Sequence, residues 1–162
     1  MEIRHLRSED LAEVVAIEAY NFSPEEQINQ SVLAYYCQHL GQTSLAVEAE
    51  DGQLAGYLLA LPMDKNRLDD SVFTNPQAYD GDAPHLAIAS LSISPDFKSQ
   101  GLGTLLLAGL KQVAQDRGAQ GISLTCHDYL IPYYEAQGFE DWGPSASQLG
   151  GQEWLDMYWK CP

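Results

Sequence analysis

The chain has 162 residues, 45% of them hydrophobic, with 23 acidic against 8 basic side chains and a formal net charge of −15. That is enough chain for one domain with a real core, and it excludes a disordered or fibrous protein. The scarcity of Lys and Arg also argues against nucleic acid, whose phosphates need cations, and no run approaches the roughly 18 apolar residues of a membrane span.

Met1-Glu2-Ile3-Arg4 begins at once with strand-like alternation, and no secretory signal is visible. Cys37, Cys126 and Cys161 are an odd, widely spaced set without metal spacing. They read as reduced thiols, and the expected location is the cytoplasm. The net acidity suits a cationic substrate drawn in by a negative field, and it serves solubility equally well.

In chain order, Glu2 to Leu6 reads as a first strand. Ser8 is placed to cap a helix carrying Leu11, Val14, Val15, Ile17 and Glu18. Phe22-Ser23-Pro24-Glu25-Glu26 predicts a second helix start, with Ser23 as cap, Pro24 at the first helical position and Glu26 completing a capping box. Ser44 to Ala49 and Leu54 to Ala60 flank Asp51-Gly52, a hairpin signal. Residues 63–84 are polar and predict a long loop with a short helix near 66–72. Loops of this length are often lids or substrate walls. His85 to Ile93 reads as a buried strand, and Leu102, Leu105, Leu106, Leu110 and Val113 as one face of a helix that stops at Gly118. Gly121 to Cys126 is a further strand, 131–137 a short helix, and 139–142 and 153–160 two final strands. The order β-α-α-β-β-β-α-β-α-β-β predicts a single α/β (α+β) domain over 1–162, built on one mixed sheet.

The most informative stretch is Ser92 to Thr104. A strand-like run ends at Pro95, a polar loop with two glycines follows, and a leucine-rich helix begins. The first turn of a helix leaves its N–H groups unpaired and its dipole favours an anion. Gly101 and Gly103 let a diphosphate approach the main chain. Residues 98–104 are therefore predicted to hold a phosphorylated ligand. A dinucleotide fingerprint fails, because its third glycine falls on Leu106, and a P-loop fails for want of Gly-Lys-Ser/Thr.

What remains is Lys98-Ser99-Gln100-Gly101-Leu102-Gly103, a basic residue, two spacers, Gly, spacer, Gly. It resembles the acyl-CoA loop of the GNAT N-acyltransferase superfamily, whose usual first residue is Arg or Gln. Leu124 to Glu135, with Cys126, Asp128, Leu130, Pro132, Tyr133, Tyr134 and Glu135, is similar to a segment of the arylalkylamine (serotonin) N-acetyltransferases. Phe139 and Gly143-Pro144 continue it, and Ser8-Glu9-Asp10, Ile17-Glu18, Phe22 and Arg67-Leu68 also look similar. The likeness covers nearly the whole chain, with 91–107 and 124–144 as its specific blocks. It implies a GNAT fold of about seven strands, helices on both faces and a splayed central strand pair. It also implies acetyl-CoA bound by Leu91, Ile93, Lys98, Ser99, Gln100, Gly101, Leu102, Gly103 and Thr104, and no metal.

Acetyl transfer to an amine needs a neutral amine, a stabilised oxyanion and a proton for the leaving thiolate. An alkyl amine with a pKa of about 10.4 is neutral in only about one molecule in a thousand at pH 7, a deficit of roughly 4 kcal/mol. Tyr134 is the general-acid candidate: a phenol is a neutral donor at pH 7, and the resemblance places the family's tyrosine there. A packed tyrosine paired with Tyr133 is the alternative. The resemblance implies the Leu91 N–H as oxyanion donor. The animal enzymes' His-x-His pair falls on Ala87 and Ala89, so the base must come from elsewhere; His127, His85, Asp128 and Glu18 are candidates, each with a structural reading beside it. Phe22, Tyr20, Leu61 and Pro62 with the 63–84 loop are expected to form one acceptor wall, and Thr125 with 145–151 another. Tyr133 and Trp142 are further aromatic candidates.

These features predict an N-acetyltransferase acting on a small primary amine, an arylalkylamine or a polyamine, by direct attack in a ternary complex. A protein N-terminal or lysine acetyltransferase is the rival within the class, since an acidic cleft suits either. A long loop folded over the site favours the small molecule. A non-catalytic acyl-CoA sensor is the rival outside it. Monomer and homodimer both fit the sequence.

Overall fold

A computed structural model describes residues 1–162. One mixed sheet of seven strands, in the order β1-β2-β3-β4-β5-β7-β6, separates two layers of helices. The strands are β1 Glu2–His5, β2 Leu45–Glu48, β3 Leu54–Met63, β4 His85–Ile93, β5 Gly121–Cys126, β6 Glu140–Pro144 and β7 Leu155–Lys160. The helices are α1 Leu11–Asn21, α2 Gln30–His39, α3 Ser71–Thr74, α4 Leu102–Arg117 and α5 Ile131–Ala136. Strands β1 to β4 pair antiparallel, β4 and β5 pair parallel, and β5, β7 and β6 return to antiparallel pairing. A parallel pair needs a long crossover, and α4 supplies it.

The two faces of β3 feed two cores. Tyr57, Leu59, Leu61 and Met63 pack under α1, α2 and α3 with Val14, Ile17, Leu33 and Tyr36. Leu58 and Ala60 pack with Leu102, Leu106, Leu107 and Leu110 of α4. This double coverage explains why β3 is buried at every position and lacks the alternation of a half-exposed strand. Helix α4 is bracketed by Gly101 at φ 75° and Gly118 at φ 69°, and the Gly118 N–H closes on the carbonyls of Ala114 and Gln115. Left-handed backbone at a helix end is where glycine costs least.

Three local expectations are corrected. The Ser23–Glu26 capping signal makes one turn only, in which Ser23 O accepts from the Glu26 and Gln27 N–H groups. The Ile28 N–H is taken instead by the buried Glu18 carboxylate at 3.1 Å, and α2 begins at Gln30. Ser8 is not a helix cap: it opens a 3-10 turn over Ser8–Asp10, and Asp10 accepts from the Arg7 N–H at 2.9 Å. The short helix of the 63–84 loop is α3, later than 66–72, followed by a 3-10 turn at Pro76–Ala78. No helix is long and apolar enough to cross a membrane.

Candidate active site

The site begins with a fault in the sheet. Leu59 lies opposite Ser90 but Ala60 opposite Ile88, so Ala89 is an extra residue in β4, a bulge. The parallel pairing of β4 with β5 stops at Ala87 and Ser123. Beyond that point the strands splay. The Ser94 N–H donates to Ala55 O of β3 at 2.8 Å. Backbone groups alternate between strand edges, so Ser92 also faces β3, whereas Leu91 and Ile93 present theirs to the splay.

Two hollows meet there. A cavity of about 220 Å³ is lined by Ile88 to Leu91 of β4, Leu124 to Cys126 of β5, and Glu18, Phe22, Glu26, Phe73, His127, Tyr129, Tyr134 and Trp154 among others. An open groove of about 480 Å³ runs past Ile93, Phe97, Lys98, Ser99, Gly101, Leu102, Gly103, Thr104 and Tyr133. Asn21, Phe22 and Leu91 border both. The groove is walled by the loop into α4. Ser99 at φ 65° and Gly101 at φ 75° both turn left-handed, a conformation that lets successive N–H groups converge on an anion. A Cβ on Gly103 would lie 3.0 Å from the Tyr133 hydroxyl, which also meets Thr104 Oγ1 at 3.2 Å. A side chain there would press on Tyr133, because α5 is tied against the first turn of α4. Such a cradle fits the phosphates and arm of a CoA thioester.

Inside the cavity, Tyr134 packs edge-on against Tyr133 and Phe139 at 5.1 and 5.8 Å between ring centres. No protein group hydrogen-bonds its hydroxyl. Burial, then the neighbouring Cys126 and Tyr133, push its pKa well above the ordinary phenol value. It therefore stays protonated, as a proton donor must. Glu18 is 2% exposed. Its Oε1 accepts from Tyr57 Oη at 2.5 Å and Ser90 Oγ at 3.1 Å, and Oε2 from the Ile28 N–H. Burial raises its pKa above the ordinary carboxylate value, and these donors offset that only in part. A carboxylate so fully engaged is a brace between α1 and the β4 bulge. His127 Nε2 lies 3.0 Å from Glu26 Oε1, and its ring stacks on Trp154 at 4.2 Å and Tyr129 at 5.6 Å. The carboxylate requires N–H at Nε2, which leaves Nδ1 as the basic nitrogen of the neutral ring.

The structure thus brings together Phe22, Leu91, Ile93, Lys98, Ser99, Gly101, Gly103, Thr104, Thr125, His127 and Tyr134. It separates others. Leu61 and Pro62 are buried in β3, because that strand runs on to Met63 instead of ending at a wall. Tyr20 is 70% exposed and turned away, one residue out of phase on α1. His85 sits at the paired end of β4, opposite Gly121, with Nδ1 2.8 Å from Tyr158 Oη. Burial lowers its pKa, so it is a neutral core histidine outside the cavity. Gln100 is exposed and off the groove, whereas Leu102 lines the groove with its loop neighbours while also packing into the α4 core. Trp142 stacks on Tyr158 under Arg67, away from the cavity.

Asn21, Tyr129 and Trp154 were not legible as site residues. Nothing local marks them, because each reaches the cavity from a different element. Phe73 arrives on the 63–84 loop, the segment expected to form a wall, which is fastened over the cavity. Ser147 Oγ and the Gln148 N–H donate to Asp70 Oδ1 and Oδ2 at 2.5 and 3.1 Å, joining that loop to the one between β6 and β7.

A bulged, splayed β4–β5 pair with a glycine cradle beside it defines a class of acyl-CoA-binding fold, and comparison with known proteins agrees. Residues 5–139 match the acetyltransferase (GNAT) family model. The chain belongs to that family. It is 29% identical over 109 residues to a serotonin N-acetyltransferase of Mesocricetus auratus, a stretch covering 67% of this chain and 51% of that protein. The chain spans about half the length of the curated relatives it matches. Among solved structures, the loading GNATL domain of CurA from Lyngbya majuscula superposes with a TM-score of 0.86 at 17% identity, covering 99% of this chain and 97% of that one. The GphF GNAT-like decarboxylase in complex with isobutyryl-CoA gives a TM-score of 0.83 at 16% identity, with both chains covered in full, 100% and 100%. These last two likenesses bear on the fold.

Proposed function

We propose that this protein transfers an acetyl group from acetyl-CoA to the amino group of a small primary amine, an arylalkylamine before a polyamine, by direct attack in a ternary complex. The observation that carries the reading is the junction at Asn21, Phe22 and Leu91, where a groove with an anion cradle opens into a cavity holding a free phenol and a histidine–carboxylate pair. Acetyl-CoA supplies the activated acyl group and a thiol leaving group. The remaining tasks fall to the chain.

The backbone of Ser99 and of Gly101 to Thr104 receives the phosphates, with Lys98 the adjacent cation. The Leu91 N–H, free at the open edge of β4, serves as oxyanion donor. Tyr134 gives its proton to the leaving thiolate and is reprotonated by the second proton that the attacking nitrogen sheds as the amide forms. His127, its tautomer and ring position held by Glu26 at 3.0 Å, accepts the ammonium proton at Nδ1, the division of labour of any histidine–carboxylate base. His85 has no part in this scheme. Phe22, Phe73, Tyr129 and Trp154 surround the cavity with aromatic faces, which favour an aromatic or cationic guest. The Asp70 clasp holds the 63–84 loop over the cavity, which supports a small acceptor over a peptide.

The test is CoA release from acetyl-CoA, followed with a thiol reagent, against tryptamine, phenethylamine, spermidine and a set of peptides. Selective turnover of the aromatic amines is the expected result. Turnover of peptides alone would replace the acceptor assignment, and CoA binding without release for any amine would leave an acyl-CoA sensor.

A further inference from the structure

Asn21, the last residue of α1, carries a polar atom that the reaction scheme does not use. Its Nδ2 donates to Ser92 Oγ at 2.6 Å and to Ile93 O at 2.8 Å. A carboxamide NH₂ has two hydrogens, and both are spent. The Ile93 carbonyl only accepts, so it decides which end of the amide faces it: the reversed amide would set two acceptors against each other. Oδ1 therefore points away from β4. It is buried and has no donor anywhere in the protein. Buried acceptors left without a donor are rare and call for an explanation.

Position supplies one. The Ile93 carbonyl lies on the edge of β4 that faces the splay, so the carboxamide that grips it stands on that edge too. Asn21 borders both the groove and the cavity, beside Leu91 and Phe22. A chain bearing amides, laid along this edge as an added strand, finds donors for its carbonyls in the Leu91 and Ile93 N–H groups. Its own N–H groups need acceptors, and Ile93 O is already engaged by Asn21 Nδ2. Asn21 Oδ1 offers a replacement at the same place.

We propose that Asn21 Oδ1 accepts a hydrogen bond from an amide N–H of the pantetheine arm of acyl-CoA, so that Asn21 holds the arm in the seam where groove and cavity meet. The proposal rests on the acetyl-CoA reading above and adds to it the residue that fastens the arm. The donors of the cradle grip the phosphates, and Asn21 is the side-chain acceptor for the amide portion.

Calorimetry separates the two readings. Dissociation constants are measured for wild type and Asn21→Ala with CoA, with 3′,5′-ADP, which lacks the arm, and with two CoA analogues, each having one pantetheine amide replaced by an ester. Asn21→Ala is expected to bind CoA about 3–10-fold more weakly, the effect of one hydrogen bond, and 3′,5′-ADP unchanged. One of the two esters should lose a similar factor against wild type beyond its loss against Asn21→Ala. The wild-type analogue series keeps the proposal refutable even if the variant is poorly folded. Equal CoA affinity in Asn21→Ala, or neither ester losing affinity for wild type, overturns the proposal. An unchanged CoA constant with a raised KM for the amine would assign Oδ1 to the acceptor and overturns it equally. Wild type that fails to bind CoA at all would sink the acyl-CoA reading itself.

Discussion

Tyr134→Phe separates chemistry from packing unusually well, because the structure assigns the hydroxyl no protein partner. Removing one oxygen leaves the ring in place between Tyr133 and Phe139. No buried donor is stranded, so the cost in stability should stay within about 0.5 kcal/mol, the scale of a substitution that breaks no contact. Turnover is a different matter. A positioned general acid contributes about 10²–10⁴-fold. A thiolate with a pKa of about 8.5 is already a fair leaving group, which puts the expected loss at the lower end. We expect kcat to fall about 10–100-fold with the CoA dissociation constant unchanged. The assay is steady-state CoA release from pH 6 to 9, beside a thermal unfolding scan. Burial holds the Tyr134 pKa above the ordinary phenol value, so wild type should show no loss of the acid form across that window. A variant as active as wild type at every pH would refute the argument, and a fall in activity matched by a large fall in unfolding temperature would refute the claim that the oxygen is structurally silent.

Four further outcomes are expected. His127→Ala should lower kcat by about 10²-fold or more, while His85→Phe should leave the pH–rate profile of wild type, because His85 bonds Tyr158 outside the cavity. Gly101→Val forces a β-branched residue to φ 75° and should weaken CoA and 3′,5′-ADP alike by about tenfold in calorimetry. Burial pushes the thiols of Cys37 and Cys126 up to about 12 and about 11, so at pH 8 in native protein only Cys161 should be alkylated promptly, as read by mass spectrometry. Burial alone would raise the Asp10 carboxyl, but the Arg4 fork at 2.8 Å and the Arg7 N–H outweigh it and hold the pKa below its ordinary value. The stability this linkage gives is complete above the unfolded pKa of about 3.9 and is lost as pH falls through the folded value. Asp10→Asn should therefore be less stable than wild type at pH 7, and urea titrations should show the gap closing below about pH 4.

The sequence by itself determined the parts whose causes are local. Asp51-Gly52 turns the β2–β3 hairpin, with Gly52 at φ 88°, and Gly101 and Gly118 bracket α4 because only glycine enters left-handed backbone cheaply. The cradle at 98–104 was legible for the same reason, being continuous in the chain. Tyr134 was legible through the block that surrounds it. Where a local signal met a tertiary partner, the partner won. The capping box at Ser23–Glu26 closes one turn, yet α2 waits until Gln30 because the buried Glu18 carboxylate needs the Ile28 N–H more than a helix does.

Only the tertiary structure decided which histidine and which wall belong to the cavity. His85 and His127 look alike in sequence; one lies at the paired end of β4 and the other past the splay, beside a carboxylate 101 positions earlier. Leu61 and Pro62 lost their place as a wall because β3 is covered on both faces and extends further than its composition suggested. Trp154 and Asn21 gained theirs from folding alone. A cavity is lined by elements far apart in the chain, and side-chain direction at each depends on strand register, the bulge at Ala89 and the phase of α1. Those quantities are set by packing between elements, so no window of local sequence contains them.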